Sequence, residues 1–163
     1  MLHIDCFERQ LHNNIIELRP MSEWLGKACE KLAITDQIAK DLDVCANEAV
    51  TNIMSYAYND HESHQINMRL ELKDQKLILT IQDDGMAFDP FNSKTILHKS
   101  YDKVGDVTIG GFGIKVIRSL ANECTYNRSN SKNTISLSFY VRDSSSVVSI
   151  PGENSSFLTS CNY

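Results

Sequence analysis

The chain has 163 residues, 42% of them hydrophobic and 23% charged, which suits one globular domain and is short for two. Sixteen Lys+Arg against twenty-one Asp+Glu leave a net charge of −5 with no basic run, a balance that argues against wrapping nucleic acid. The longest apolar stretches are strand-sized, so no membrane span is expected, and Met1-Leu2-His3-Ile4-Asp5 lacks the basic-then-apolar order of a signal peptide.

Residues 1–18 alternate loosely, Ile4 and Cys6 against Asp5 and Glu8, and contain the turn signal Asn13-Asn14, so a strand or hairpin is predicted there. Pro20 opens a second segment in which Trp24, Leu25, Ala28 and Leu32 recur at helical spacing, predicting a helix over 21–33. Thr35 or Asp36 reads as the N-cap of a long helix to Tyr58, with Ile38, Leu42, Cys45, Ala49, Ile53 and Tyr56 forming one apolar stripe. Ile66, Met68, Leu70 and Leu72 alternate with polar residues, Asp74-Gln75 makes a turn, and Leu77, Leu79 and Ile81 alternate again, a hairpin.

Residues 83–111 carry glycine, proline and polar residues without periodicity, and a loop of that length inside one domain is commonly functional or mobile. Gly113 then leads into a short helix (Ile114, Val116, Ile117, Leu120). Cys124 to Arg128 reads as a strand, Asn130-Ser131-Lys132-Asn133 as a turn, and Ile135, Leu137, Phe139 and Val141 as a last alternating strand. The residues from Ser144 to Tyr163 are Ser-rich and aperiodic, a flexible tail in which Val147, Val148 and Ile150 are the one set suited to a short edge strand. The order β-α-α-β-β-loop-α-β-β predicts an α+β fold, a two-layer sandwich of a mixed or antiparallel sheet with helices on one face.

Five cysteines (Cys6, Cys29, Cys45, Cys124, Cys161) are odd in number and scattered, with no CxxC pair, so they read as buried reduced thiols of a cytosolic protein. His61 and His64 lie three apart beside Glu62 but lack a third clear metal ligand, and a solvated surface turn is expected. Trp24, Phe7 and Tyr56 read as core aromatics.

Three clusters have the residue types that chemistry needs. Glu48 and Asn52 stand four apart in Asn47-Glu48-Ala49-Val50-Thr51-Asn52, on one helix face beside the apolar stripe. A carboxylate and an amide so placed suit a water and a hydrated cation such as Mg²⁺, although the pair is common on exposed helix faces. Asp83-Asp84-Gly85-Met86-Ala87 follows a strand and is either an Asp-Gly turn or an acceptor for a ligand N–H. Gly110-Gly111-Phe112-Gly113 precedes a helix, where glycine lets backbone approach a phosphate and free N–H groups bind anions; a flexible hinge is the alternative. It is not GxxxxGK[ST], which excludes a P-loop.

In order, spacing and placement these clusters resemble the GHKL ATPase family, which shares the Bergerat ATP-binding fold. Asn47 to Asn52 looks like the N box, Asp83-Asp84-Gly85 the first glycine box and Gly111-Phe112-Gly113 the second. Within the family the likeness is to the RsbW-type anti-sigma factor serine/threonine kinases, carried by Glu48 to Asn52 with Tyr56-Ala57-Tyr58, by Asp83-Asp84-Gly85 with Phe88-Asp89-Pro90, and by Gly110-Gly111-Phe112-Gly113-Ile114 with Ile117-Arg118. The resemblance spans roughly residues 4–142 and implies a kinase domain over 1–142, with 143–163 as the tail.

It further implies ATP and Mg²⁺ as ligands. Asn52 would hold the metal, Glu48 would be the catalytic base or water-orienting group, Asp83 would accept the adenine amino group, and Gly85 would let the base lie flat. Gly110, Gly111, Phe112, Gly113 and Ile114 would cradle the phosphates, and residues 91–109 would form a lid. The implied function is a cytoplasmic protein serine/threonine kinase that phosphorylates a STAS-domain antagonist and sequesters a sigma factor or other regulator, often as a homodimer, without direct contact to nucleic acid or membrane. Two departures stand out. Ala87 replaces the last glycine of DxGxG, and Ile109 stands where several such kinases carry Arg, leaving Lys99, Lys103 or Lys115 as sources of charge. The alternative is a nucleotide-dependent binding module, an anti-sigma or adaptor switch, with weak or no kinase activity.

Overall fold

The computed structural model describes residues 6–92 and 111–141. Ile4, Lys99, Lys103, Ile109, Gly110, Cys161, the expected lid from 93 onward and the expected tail lie outside the described residues.

The chain runs β1 (Cys6–His12), a single 3-10 turn (Ile15–Glu17), α1 (Leu18–Lys31), α2 (Asp36–Tyr56), β2 (Gln65–Lys73), β3 (Lys76–Asp83), α3 (Gly111–Leu120), β4 (Glu123–Ser129) and β5 (Lys132–Tyr140). The five strands form one sheet in the order β1-β2-β3-β5-β4, every neighbouring pair antiparallel. The expected α+β sandwich is present, and its sheet is antiparallel rather than mixed.

Both tight hairpins turn on two consecutive left-handed residues, Asp74 and Gln75 (φ 50° and 60°) and Asn130 and Ser131 (φ 51° and 61°). That geometry matches the twist of the flanking strands, and Asn and Asp tolerate it better than most residues. The second turn is therefore shorter than the four residues predicted, because Lys132 and Asn133 already belong to β5.

The first helix begins at Leu18, ahead of the predicted start at residue 21. Pro20 sits in its first turn, where backbone N–H groups lack intrahelical partners and the missing donor costs nothing. Helix α1 ends in a left-handed Ala33 (φ 52°), with Ala33 N–H donating to Glu30 O and Ile34 N–H to Cys29 O. Thr35 occupies the N-cap position of α2 as expected, but its side chain makes no capping hydrogen bond; Asp36 in the first turn complements the helix dipole instead.

The core lies between the helices and one face of the sheet. Leu42, Cys45, Ala46, Ala49, Val50 and Ile53 of α2 are buried against Leu70 of β2, Leu77, Leu79 and Ile81 of β3, and Leu137 and Phe139 of β5. Each fully buried Leu, Ile or Val side chain contributes roughly 1.5–3 kcal/mol relative to exposure. In β1 the inward residues are Phe7, Arg9 and Leu11, so Cys6 and Glu8 share the outer face and Cys6 is exposed, against expectation. Cys29 and Cys45 are buried, and burial pushes their thiols up to about 11 and about 12. No described helix is long and apolar enough to cross a membrane.

Candidate functional site

The central strands carry their buried alternation past the last apolar residue into a polar pair. Leu77, Leu79 and Ile81 of β3 are followed on the same face by Asp83, and Phe139, Leu137 and Ile135 of β5 are preceded by Asn133. Asp83 and Asn133 are register partners, so their side chains share one face at one end of the sheet, and each is only 3% exposed. Burial raises the Asp83 carboxyl above the ordinary carboxylate range, while hydrogen bonds from Asn133 and the Gly85 backbone pull the other way.

Asp83 Oδ1 accepts the Gly85 N–H at 2.8 Å and Asn133 Nδ2 at 2.8 Å. Gly85 is buried where the end of α2 meets the end of β3. A Cβ there would stand 2.5 Å from Ala57 Cβ and 2.6 Å from Ala57 O, so only glycine fits. Beside it the Met86 N–H donates to Ala57 O at 2.8 Å.

The helical cluster meets the second glycine cluster across the α2–α3 packing. Gly113 lies in the first turn of α3, and a Cβ on it would run into Glu48 Oε2 and stand 3.5 Å from Asn52 Nδ2. Glu48 and Asn52, one helical turn apart on α2, thus both border the start of α3, whose first N–H groups have no intrahelical partners. Asn52 Nδ2 is buried without a hydrogen-bond partner in the protein.

A cleft joins the two ends. It is lined by Asn52, Ile53 and Tyr56 of α2, Asp83, Asn133 and Ile135 of the sheet, Ile114 and Ile117 of α3, and Met86, Phe88, Pro90 and Phe91 of the segment after β3. That segment is pinned at its far end. Asp89 Oδ1 accepts the Phe91 N–H at 2.9 Å, and Arg118 of α3 donates to Phe91 O with its guanidinium over the Phe91 ring. Tyr56, expected in the core, faces this cleft instead, whereas Trp24 and Phe7 pack partly buried against the core as expected.

Asp83, Asn52 and Ile114 line the cleft, Gly85 lies against Asp83 and Ala57, and Glu48 and Gly113 meet beside Asn52. Gly111 opens α3 beside them. The Phe112 side chain is 74% exposed and does not line the cleft. Lys115 is exposed on α3 and is not among the cleft residues, and no described residue lining the cleft is cationic.

Asn133 was missed because the run Asn130-Ser131-Lys132-Asn133 has turn composition throughout. Extending the β5 alternation back two residues from Ile135 would have placed it inward, opposite Asp83. Its partners on β4 were missed with it: Tyr126 Oη and Arg128 Nη1 donate to Asn133 Oδ1 at 2.8 and 2.6 Å.

His64 also departs from the expected solvated turn. Its ring stacks on Tyr58 at 3.9 Å between centroids, with Nε2 2.8 Å from Asp60 Oδ1 and Nδ1 3.3 Å from Asp84 Oδ1. It ties the loop after α2 to the residue next to Asp83. Among the described residues no group of three or more His, Cys, Asp or Glu is placed to hold a metal ion.

Comparison with known proteins accords with this geometry. Residues 11–139 match the model of the histidine kinase-like ATPase domain. The serine-protein kinase RsbW of Oceanobacillus iheyensis is 29% identical over 105 residues, which cover 63% of this chain and 66% of that protein. The serine/threonine-protein kinase BtrW of Bordetella bronchiseptica is 31% identical over 97 residues, covering 59% of this chain and 66% of that protein. The chain thus spans just under two thirds of the length of the curated relatives it matches. Among solved structures, the RsbU and RsbW domains of a Mycobacterium tuberculosis protein superpose with a TM-score of 0.56 at 14% identity, covering 85% of this chain and 34% of that one, a likeness of fold. With a sheet, a cleft and a family match that coincide over residues 11–139, the chain belongs to the histidine kinase-like ATPase domain family.

Proposed function

We propose that this chain binds ATP with Mg²⁺ in the cleft and acts as an anti-sigma factor-type protein serine/threonine kinase. The observation that carries the reading is the convergence at Gly113. An acidic and an amide side chain of α2 border the N-terminus of α3, while a buried carboxylate waits at the other end of an apolar cleft. Adenine is flat and apolar on its faces with an amino group at its edge, which suits a cleft between Ile and Phe side chains closed by Asp83. A triphosphate at the α3 end would meet N–H groups without intrahelical partners, beside the Glu48 carboxylate that packs against Gly113.

The residues fit the metal as well. Asn52 carries an amide oxygen of the kind Mg²⁺ takes, and the Glu48 carboxylate borders the same first turn of α3. Asn52 would hold Mg²⁺, which when bound neutralises charge on the phosphates. Glu48 would accept the proton of the incoming serine or threonine hydroxyl as that oxygen takes the γ-phosphoryl group and ADP leaves. Asp83 would accept the adenine amino hydrogen, and the backbone of residues 110–114 would hold the phosphates. The acceptor would be a STAS-domain antagonist, with a sigma factor or comparable regulator as the sequestered partner. The reading includes a kinase domain over 1–142 with a tail beyond it, a cytoplasmic location and a homodimer.

Relatives named as serine and serine/threonine protein kinases support the kinase over other members of the family. Ile109, at the position where several such kinases carry Arg, favours a second reading, a nucleotide-loaded binding module without phosphotransfer. Glu48→Gln separates the two. For a kinase, the variant keeps ATP affinity within about threefold and loses phosphotransfer to a STAS-domain partner by roughly 100-fold or more, the usual worth of a general base. A wild type that binds ATP yet transfers no phosphate to any such partner establishes the binding module.

A further inference from the structure

The cleft's buried aspartate is not free to accept with both oxygens. Among the described residues, the hydrogen bonds accepted by the Asp83 carboxylate all end on Oδ1, from the Gly85 N–H and from Asn133 Nδ2, both at 2.8 Å. Two donors fill the in-plane lone pairs of one carboxylate oxygen, so Oδ2 is the oxygen left for a ligand.

Asn133 is itself saturated. Its Nδ2 donates to Asp83 Oδ1 and to Met86 O at 2.9 Å, and its Oδ1 accepts from Tyr126 Oη at 2.8 Å and Arg128 Nη1 at 2.6 Å. The orientation of its amide is fixed chemically. A guanidinium only donates and an ionised carboxylate only accepts, so the oxygen must face Arg128 and the nitrogen must face Asp83. The same Arg128 Nη1 reaches Gly85 O at 3.0 Å, which ties the edge strand to the turn carrying the glycine. Asn133 therefore has no group left for a ligand, and acts on one through Asp83.

We propose that Asn133, held by Arg128 and Tyr126, is a positioning residue that makes Asp83 a one-oxygen acceptor and so sets the base preference of the cleft for adenine over guanine. This rests on the nucleotide reading above. The Watson–Crick edge of adenine offers a single amino group beside a ring nitrogen acceptor. That of guanine offers two adjacent donors, N1–H and the 2-amino group, which an unencumbered carboxylate accepts with both oxygens. With Oδ1 already filled, the paired donors of guanine have one acceptor between them, whereas the one donor of adenine is fully met. An unpaired buried donor is costly, which is the origin of the discrimination.

The test is calorimetric titration of the full chain with ATP and with GTP, each with Mg²⁺, over a range of pH. The proteins compared are the wild type, Asn133→Ala, Asn133→Ser and Arg128→Gln, each with a thermal melt. The wild type is expected to prefer ATP. Asn133→Ala lowers the ATP-to-GTP affinity ratio by roughly tenfold or more, the loss of one hydrogen bond to a charged group. It also moves the acid limb of ATP binding to higher pH, because Asp83 loses a donor that favours its ionised form. Asn133→Ser, with a hydroxyl donor, falls between, and Arg128→Gln moves both readouts in the same direction by less. If Asn133→Ala does not fold, the other two variants decide by the same readouts. A wild type that binds ATP while folded variants keep both its base ratio and its acid limb overturns the role of Asn133 alone. A wild type that binds neither nucleotide overturns the nucleotide reading with it.

Discussion

Replacing Gly113 with Ala should separate stability from catalysis. Gly113 is buried in the first turn of α3, and alanine exceeds glycine in helix propensity by about 1 kcal/mol. The added methyl meets one obstacle, the Glu48 carboxylate, with Asn52 Nδ2 at an ordinary 3.5 Å. A carboxylate at the end of a flexible side chain swings aside cheaply. To reach van der Waals separation it must move by about 1 Å, and a misplacement of that size costs a reacting group on the order of 100-fold in rate. The expectation is a chain as stable as the wild type or up to ~1 kcal/mol more stable in urea denaturation, with phosphotransfer to a STAS-domain protein lowered by about 100-fold. A variant that loses stability by more than ~1 kcal/mol would show that Glu48 is wedged rather than mobile. One that retains full phosphotransfer would show that the Glu48 position is immaterial to the reaction.

Gly85→Ala should behave in the opposite way, because its Cβ meets Ala57 backbone as well as side chain, and neither can swing aside. Overpacking at such a site costs roughly 1–3 kcal/mol, read as a lower urea midpoint at unchanged slope; a midpoint at or above the wild-type value refutes the close approach. His64 supplies a pH signature. Its pKa is raised above 6.5, chiefly by the hydrogen bond to Asp60, whose own pKa is lowered. The stabilisation is therefore fully present at pH values below 6.5 at which Asp60 is ionised, and is lost as pH rises through the elevated His64 value. Wild type minus His64→Gln stability, followed by urea denaturation against pH, should shrink with rising pH; a difference independent of pH removes the ion pair.

Where local pattern and burial agree, the fold is legible in the sequence. The alternation of β2 and β3 and the apolar stripe of α2 each point one way, and each lies within two residues of its observed bounds. The β1 phase was illegible because Arg9 occupies an inward position, its guanidinium 3.8 Å from Glu17, while Cys6 points out. Propensity alone assigns those two residues to the wrong faces. In the site, Glu48, Asn52, Asp83 and Gly85 stood out because a polar residue or glycine interrupts an apolar run. Asn133 interrupts one too, but it follows two turn residues and its inward parity is hidden by them. Tyr56 sits at a core phase of α2, and only the placement of the Met86–Phe91 segment turns that phase into a cleft wall. His64 is bound by partners four and twenty positions away, a pairing no local period reveals.

The most direct test of the central claim is a calorimetric titration with ATP, with and without Mg²⁺, of the wild type and of Asp83→Asn. The substitution keeps the shape of the side chain but removes the ionised acceptor, worth about 1–3 kcal/mol to a buried donor. The account predicts ATP binding that Mg²⁺ strengthens in the wild type and an affinity roughly 5- to 150-fold weaker in the variant. Equal affinity in the two proteins, or no binding by the wild type, would contradict it.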